Sequence, residues 1–285
     1  MEHPLASLVT GERAGRLERF RDADGFVGYR SPLLARLRVP HLFTTRLGGG
    51  RKELDLGQLT PRTIVRLRSA AGAVQERLVS VKQVHGARAL HVSERPTRSL
   101  GEADALVTER DDLLLCIHVA DCVPVLLASS DGRRVAAVHA GWRGLVAGVL
   151  PRALEVLAAE EVVAAIGPCI SCERFEVGPE VAEAFARAGL AETIHERSHA
   201  RAQIDLRAAA ALQLRARGVE LIDSTDRCTH RDVAEFYSYR RDVTHGSRGS
   251  TGRLGALIGV ATMVEGAPPS GAGHRFPRSA GSMRS

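Results

Sequence analysis

Apolar residues dominate four stretches in the middle of the chain: Leu113 to Val119, Val123 to Ala128, Val135 to His139 and Val162 to Ile166. Short apolar, β-branched runs bounded by turn residues predict strands. The second and third form a predicted hairpin around Ser130-Asp131-Gly132, whose Asp-Gly pair suits a tight turn. Shorter strands are expected at Asp104 to Thr108, Val219 to Asp223, Ala234 to Tyr239 and Leu254 to Thr262. Leu78 to Val84 alternates as a strand, with His85 at its end. Phe26 to Arg46 reads as short strands with a turn, running into Gly48, Gly49 and Gly50. Helical spacing marks Thr60 to Ala73 and Gly141 to Ala159, the latter with Pro151 as an expected interruption. Pro179 to Ala188 has a Pro start, Glu180 in its first turn and Gly189 behind it; Asp205 opens another helix, through Arg217, that Gly218 ends. Strands and helices mix without a repeat or a linker. The simplest architecture is one α/β domain with mixed strands over residues 1–263. A Gly, Pro, Ser and Arg-rich tail at 264–285 is expected to be disordered.

Composition narrows the class. Of 285 residues, 44% are hydrophobic and only 4% aromatic, so the core must be built from Val, Leu, Ala and Ile. The five cysteines, an odd number spread over the chain, suit reduced thiols in the cytoplasm better than a disulfide framework. No leader is evident at Met1 to Gly15, and no apolar run reaches membrane-spanning length. The net charge of +6 comes almost wholly from arginine: Lys52 and Lys82 are the two lysines, and Asn is absent. These cations are scattered among acids without interleaved aromatics, which argues against nucleic acid as a partner. A phosphate-bearing small substrate uses a few arginines more economically. The chain is therefore expected to work on small molecules, without nucleic acid or membrane, as a monomer or weak oligomer.

Three segments concentrate the chemistry: Lys82-Gln83-Val84-His85-Gly86, Ala120-Asp121-Cys122-Val123-Pro124, and Val138-His139-Ala140-Gly141-Trp142-Arg143-Gly144. Each places one metal-ligating side chain, His85, Cys122 or His139, at or near the end of an apolar run. Two imidazoles and one thiolate suit zinc with a fourth position open to water or substrate. Taken singly, such a Cys is usually a small buried hydrophobe and such a His merely hydrogen-bonded; the joint pattern carries the reading. Cys169-Ile170-Ser171-Cys172 is a lone CxxC and reads as structural or incidental. Cys116 and His118 read as core, and His195, His199, His230, His245 and His274 as surface.

KQVHG at Lys82 to Gly86, ADCVPVLL at Ala120 to Leu127, VHAGWRG at Val138 to Gly144, IGPCIS...FEVG at Ile166 to Gly178 and FYSYRRD...TGRLG at Phe236 to Gly255 together resemble the YfiH-like family. It is also called the laccase-domain or multicopper polyphenol oxidase family. The resemblance runs from about Val39 to about Val260. It implies a four-layer α-β-β-α sandwich with mixed sheets, with zinc on His85, Cys122 and His139. It also implies phosphorolysis of adenosine, inosine and methylthioadenosine to base and ribose 1-phosphate, with adenosine deaminase activity. The family's Phe-Thr/Ser-Thr-Arg-x-Gly-Gly motif falls on Phe43 to Gly49 and makes Arg46 a site residue. Asp55-Leu56 and Leu67-Arg68 stand where the family commonly has Asn-Leu and Asn-Arg, and Val243 to Ser250 resembles an insertion.

Within that reading, Arg46 and Arg143 are expected at the catalytic centre. Arg240, Gln83 and Trp142 are expected to bind substrate, with Trp142 either stacking on the purine or serving the core. The helix start at Gly141 to Gly144 offers backbone N–H groups to phosphate. Asp121 is the first candidate for proton transfer, or alternatively an acceptor that fixes a ligand His; Asp104 is the second. Two rivals remain. Copper could substitute for zinc, but the 11 histidines contain no His-x-His pair of the kind a multicopper oxidase needs. A metal-free Cys-His hydrolase, with Cys122 as nucleophile, matches the peptidoglycan-precursor editing suggested for bacterial members. A closed structural site would need a fourth ligand, for which Cys228 is the candidate.

Overall fold

The computed structural model describes residues 15–261, apart from 49, 51–52, 76, 98, 199–200 and 248. The tail expected at 264–285 lies outside the described residues. In chain order the strands are β1 (Glu18–Arg21), β2 (Phe26–Arg30), β3 (His41–Gly48), β4 (Arg77–Val79), β5 (Ala89–His91), β6 (Ala105–Thr108), β7 (Leu113–Val119) and β8 (Val123–Ser129). Then come β9 (Val135–Ala140), β10 (Val162–Ile166), β11 (Glu176–Val177), β12 (Ile194–Ser198), β13 (Arg201–Ile204), β14 (Leu221–Asp223) and β15 (Leu254–Ile258). The α-helices are α1 (Pro32–Arg36), α2 (Pro61–Ala71), α3 (Trp142–Val146), α4 (Val149–Leu157), α5 (Pro179–Arg187) and α6 (Leu206–Arg215).

Two six-stranded mixed sheets, ordered β1-β2-β3-β15-β7-β4 and β14-β10-β8-β9-β6-β5, accompany a three-stranded sheet, β11-β13-β12. Side-chain alternation turns the large sheets into layers. In β7, Leu113, Leu115, Ile117 and Val119 enter the core shared with the other sheet, while Leu114 and Cys116 join a separate core with Leu67, Ala70 and Ala71 of α2. In β8, Leu126 and Ala128 belong to the shared core, and Val123, Val125 and Leu127 pack with residues of α4 and α6. The order is helix, sheet, sheet, helix, the expected four-layer α/β sandwich. Strands covered on both faces need apolar residues at every position, which explains the unbroken runs in the sequence.

A buried polar residue must be fully paired in such a core. His41 in β3 meets that demand as a neutral ring: its Nε2 accepts the Ser31 N–H at 2.7 Å, so its Nδ1–H donates to the Val39 carbonyl at 2.7 Å. Burial is the main force lowering its pKa, to about 4.

Three sequence expectations change. The helix at Gly141 to Ala159 does break, but at Gly148, whose φ is +78°, and not at Pro151. Pro151 lies in the first turn of α4, where a missing N–H costs nothing. Ala234 to Tyr239 forms turns, with the Glu235 and Phe236 N–H groups donating to Asp232 O, and leads into a π-helix at Arg240–Thr244. Its strand-like pattern arose because Phe236 and Tyr237 are core residues while Glu235 and Ser238 are held by side chains elsewhere. The strand at Leu78 to Val84 shortens to Arg77–Val79. His195, expected at the surface, is exposed there, on β12 paired with β13.

Candidate metal centre and its cavity

The chain crosses between the two large sheets at the places where the ligands lie. His85 is on the passage from β4 to β5, and Cys122 on the three-residue passage from β7 to β8. Both turns need left-handed backbone at non-glycine residues: φ is +61° at His85 and +89° at Asp121. Such positions cost on the order of 1–3 kcal/mol each and persist where the surroundings hold them. His139 ends the triad from β9.

The ligand atoms of His85, Cys122 and His139 all lie within 4.8 Å of one another. His139 is buried at 2% exposure, Cys122 is half-buried and His85 is exposed, so the group opens toward one side. Gly141 packs against all three: a Cβ there would stand 3.0 Å from Cys122 Sγ, 3.0 Å from His85 Cδ2 and 3.7 Å from His139 Cε1. Only the absence of a side chain lets the donors close up.

Asp104 organises the group. The antiparallel register of β6 and β9 sets it opposite His139. It is fully buried. Its Oδ1 accepts from His139 Nδ1 at 2.8 Å and from the His85 N–H at 2.9 Å, and its Oδ2 accepts from the Gly86 N–H at 2.7 Å. A carboxylate can only accept, so Nδ1 of His139 carries a proton and Nε2 is the nitrogen left for a metal. Burial works against the Asp104 charge, but His139 and the two N–H donors outweigh it and hold the carboxyl below its ordinary range. Burial likewise pushes the Cys122 thiol up; His139 and His85 override it and bring the thiol down to about 6. His139 is the counterpart: burial disfavours its charge, yet Cys122 and Asp104 raise it to about 9. A sulfur already disposed to be thiolate, beside two imidazoles, is the donor set a borderline metal ion takes.

The triad opens into a cavity of about 610 Å³. Gln83, Asp121, Trp142, Arg143 and Arg240 line it. Arg46 is not among the lining residues; its guanidinium donates to Glu53 at 2.6 Å and to Val233 O at 3.0 Å, and stacks 4.8 Å from the Tyr237 ring. Gln83 bonds its amide to the backbone of His118 in both directions, each at 2.7 Å, imitating a strand neighbour. Asp121, 7% exposed, accepts from Thr229 Oγ1 at 2.6 Å, Ser238 Oγ at 3.0 Å and the Arg240 N–H at 2.7 Å. The helix after Gly141 is a five-residue piece, too short for a strong dipole.

Sequence reasoning missed His118, Phe175, Tyr239 and Arg253 in the lining. Arg253 belongs to the Thr-Gly-Arg motif already noted, and Asp55 anchors it by accepting its backbone N–H at 2.8 Å. Cys228 stands apart from the triad: it is bridged to Cys169 in the backbone, and its sulfur accepts from the Ser171 and Arg231 N–H groups. It therefore cannot close the site as a fourth ligand.

The family model described as multi-copper polyphenol oxidoreductase laccase matches residues 41–261. The chain belongs to this family. Its laccase-family relatives carry a different name. A purine nucleoside phosphorylase of Deinococcus radiodurans is 38% identical over 253 residues, covering 84% of this chain and 94% of that protein. Purine nucleoside phosphorylase YfiH of Escherichia coli is 40% identical over 195 residues, 66% of this chain and 76% of that protein. Among solved structures, YlmD from Geobacillus stearothermophilus superposes with a TM-score of 0.74 at 28% identity, covering 86% of this chain and 99% of that one. A Neisseria meningitidis protein gives 0.71 at 31% identity, covering 83% and 99%. The copper in the family description finds one group of three donors here among the described residues, far short of a multicopper array.

Proposed function

We propose that this chain is a zinc-dependent purine nucleoside phosphorylase acting on adenosine, inosine and methylthioadenosine, with adenosine deamination as a second activity. The observation that carries this reading is a single cavity in which the His85, Cys122 and His139 donors face three arginines. Arg143, Arg240 and Arg253 line it, and none of the three forms an ion pair with a carboxylate among the described residues. Asp121, the acid in that lining, has both oxygens engaged. Unpaired guanidinium groups in a partly buried cavity are a site for a polyanion such as phosphate.

In phosphorolysis a phosphate oxygen bonds to ribose C1′ as the C1′–N9 bond breaks. The purine leaves with the electron pair and takes up a proton. When bound, zinc supplies positive charge and Lewis acidity to this cavity. Arg143 and Arg240 hold phosphate in line with C1′, which is the positioning that such a reaction requires. Arg240 is set by Asp121 at its backbone and by the Glu176 carbonyl, 2.6 Å from its guanidinium. Trp142, with Arg143 4.4 Å over its ring, offers a face to the base. Asp121 is the proposed proton carrier for the leaving purine. The engagement of both its oxygens also suits a positioning role. Arg46 supports the wall through Glu53 and Tyr237. Copper is the proposed substitute ion, and five unbridged cysteines favour the cytoplasm.

A second reading rests on a specific feature: without metal, Cys122 at about 6 beside His139 at about 9 is a thiolate–imidazolium pair, the arrangement of a Cys-His hydrolase. One experiment separates the readings. Metal-quantified protein is incubated with adenosine, with and without phosphate. Adenine plus ribose 1-phosphate, formed only with phosphate and lost on chelation, is the expected result. Breakdown that ignores both phosphate and chelator overturns the phosphorylase.

A further inference from the structure

His118 occupies an unusual place. It lies on β7 among residues that are otherwise core, yet it lines the cavity. Its Nε2 is buried and has no hydrogen-bond partner. A buried polar atom left unpaired costs roughly 1–3 kcal/mol, so a fold that keeps one at a cavity wall gains when a ligand supplies the missing partner.

The surroundings indicate which part of a ligand that is. Val119 and Ala120 continue the chain from His118 along the cavity, and Val81 runs beside β7 on the segment that Gln83 clips to the His118 backbone. An apolar strip with one hydrogen-bonding atom suits the edge of a flat heterocycle better than a phosphate or a polyol. The groups facing the ring are Arg253, Asp55 and His139. Burial, followed by the Arg253 charge, keeps the imidazole toward its neutral form. A neutral ring nitrogen forms a directional bond and has no charge with which to compete for the anion that the arginines serve.

Resting on the phosphorylase reading above, we propose that His118 is a base-recognition residue, whose Nε2 pairs with the edge of the purine and sets the preference between 6-amino and 6-oxo nucleosides. Adenosine offers a donor at C6 and an acceptor at N1; inosine offers the reverse. A neutral ring nitrogen either donates or accepts, so it distinguishes the two. Gln83 is its positioning residue, because the two-way amide clasp fixes where the His118 backbone lies.

The chain has a single tryptophan, Trp142, and it lines the same cavity, so its fluorescence reports occupancy directly. Adenosine and inosine are titrated into the zinc-loaded wild type, H118L and H118Q, and kcat/KM is measured for each nucleoside with phosphate present. H118L removes the hydrogen-bonding atom at similar volume and is expected to weaken the preferred nucleoside by about tenfold, the worth of one buried hydrogen bond, with little change for the other. H118Q restores part of the preference. A purely structural role would scale both nucleosides equally, so an unchanged adenosine-to-inosine ratio in H118L overturns the proposal while wild-type turnover still supports the phosphorylase. A wild type that binds neither nucleoside removes both. Zinc content, equal in all three proteins, excludes loss of metal as the cause.

Discussion

Two buried carboxylates hold the two walls of the cavity in different ways. Asp104 gathers the metal wall and touches the donors themselves, the ring of His139 and the backbone of His85. Asp121 gathers the arginine wall and touches the supports, Thr229, Ser238 and the Arg240 backbone. Each is satisfied by donors from distant parts of the chain, so neither is free without cost. The difference teaches that one carboxylate fixes the metal wall at its reactive atoms, while the other fixes the arginine wall at its backbone and leaves the Arg240 guanidinium to be held by the Glu176 carbonyl.

The largest expected effect treats both walls alike. His41 lies in β3, away from both carboxylates, and protonating it would break the bond from the Ser31 N–H. Its folded pKa, about 4, is below the unfolded value near 6.5, so the unfolded chain binds the proton first as pH falls. Stability from this group is complete above pH 6.5 and declines by about 3 kcal/mol as pH drops through 4. Denaturant midpoints measured from pH 7 to pH 4 should fall in wild type and stay flatter in H41Q; parallel curves would remove His41 as the cause.

Next comes D104N. The amide brings N–H hydrogens against the N–H groups that the carboxylate now accepts, so metal affinity should fall about 10- to 100-fold, as measured by competition with a chelator. Equal affinity in D104N and wild type would break the comparison at its first half. The smallest effect belongs to D121N. Metal affinity should hold, while KM for phosphate rises by about tenfold as Arg240 loosens, the loss of one charge-assisted bond. Should the pH profile of kcat instead lose a limb in D121N, Asp121 takes part in proton transfer and the contrast between the walls narrows.

The sheets and the triad were legible because both leave local signatures. Core strands buried on two faces appear as runs such as Leu113 to Val119; Cys122 follows such a run, His139 lies in one, and His85 follows an alternating segment. What stayed hidden was long-range. His118 carries a core pattern, and only the tertiary placement of Gln83, Arg253 and Val81 turns it toward the cavity. Asp104 was weighed second to Asp121 because Asp121 adjoins Cys122 in the chain; the register of β6 against β9 reverses that order in space. Arg46 lies just before the glycines of its motif, but its partner Glu53 lies seven residues on and draws it aside. Phe236 and Tyr237 mimic a strand because burial, and not a backbone ladder, dictates their apolarity.

One feature reaches beyond catalysis. His85 and Cys122 lie on two separate passages of the chain from one large sheet to the other. An ion held between them would act as a rivet through the sandwich, and binding to the folded chain alone raises its stability with the logarithm of free metal. Starvation for that metal would then thin out the protein itself through proteolysis, so that a cell short of the ion loses the enzyme along with its activity.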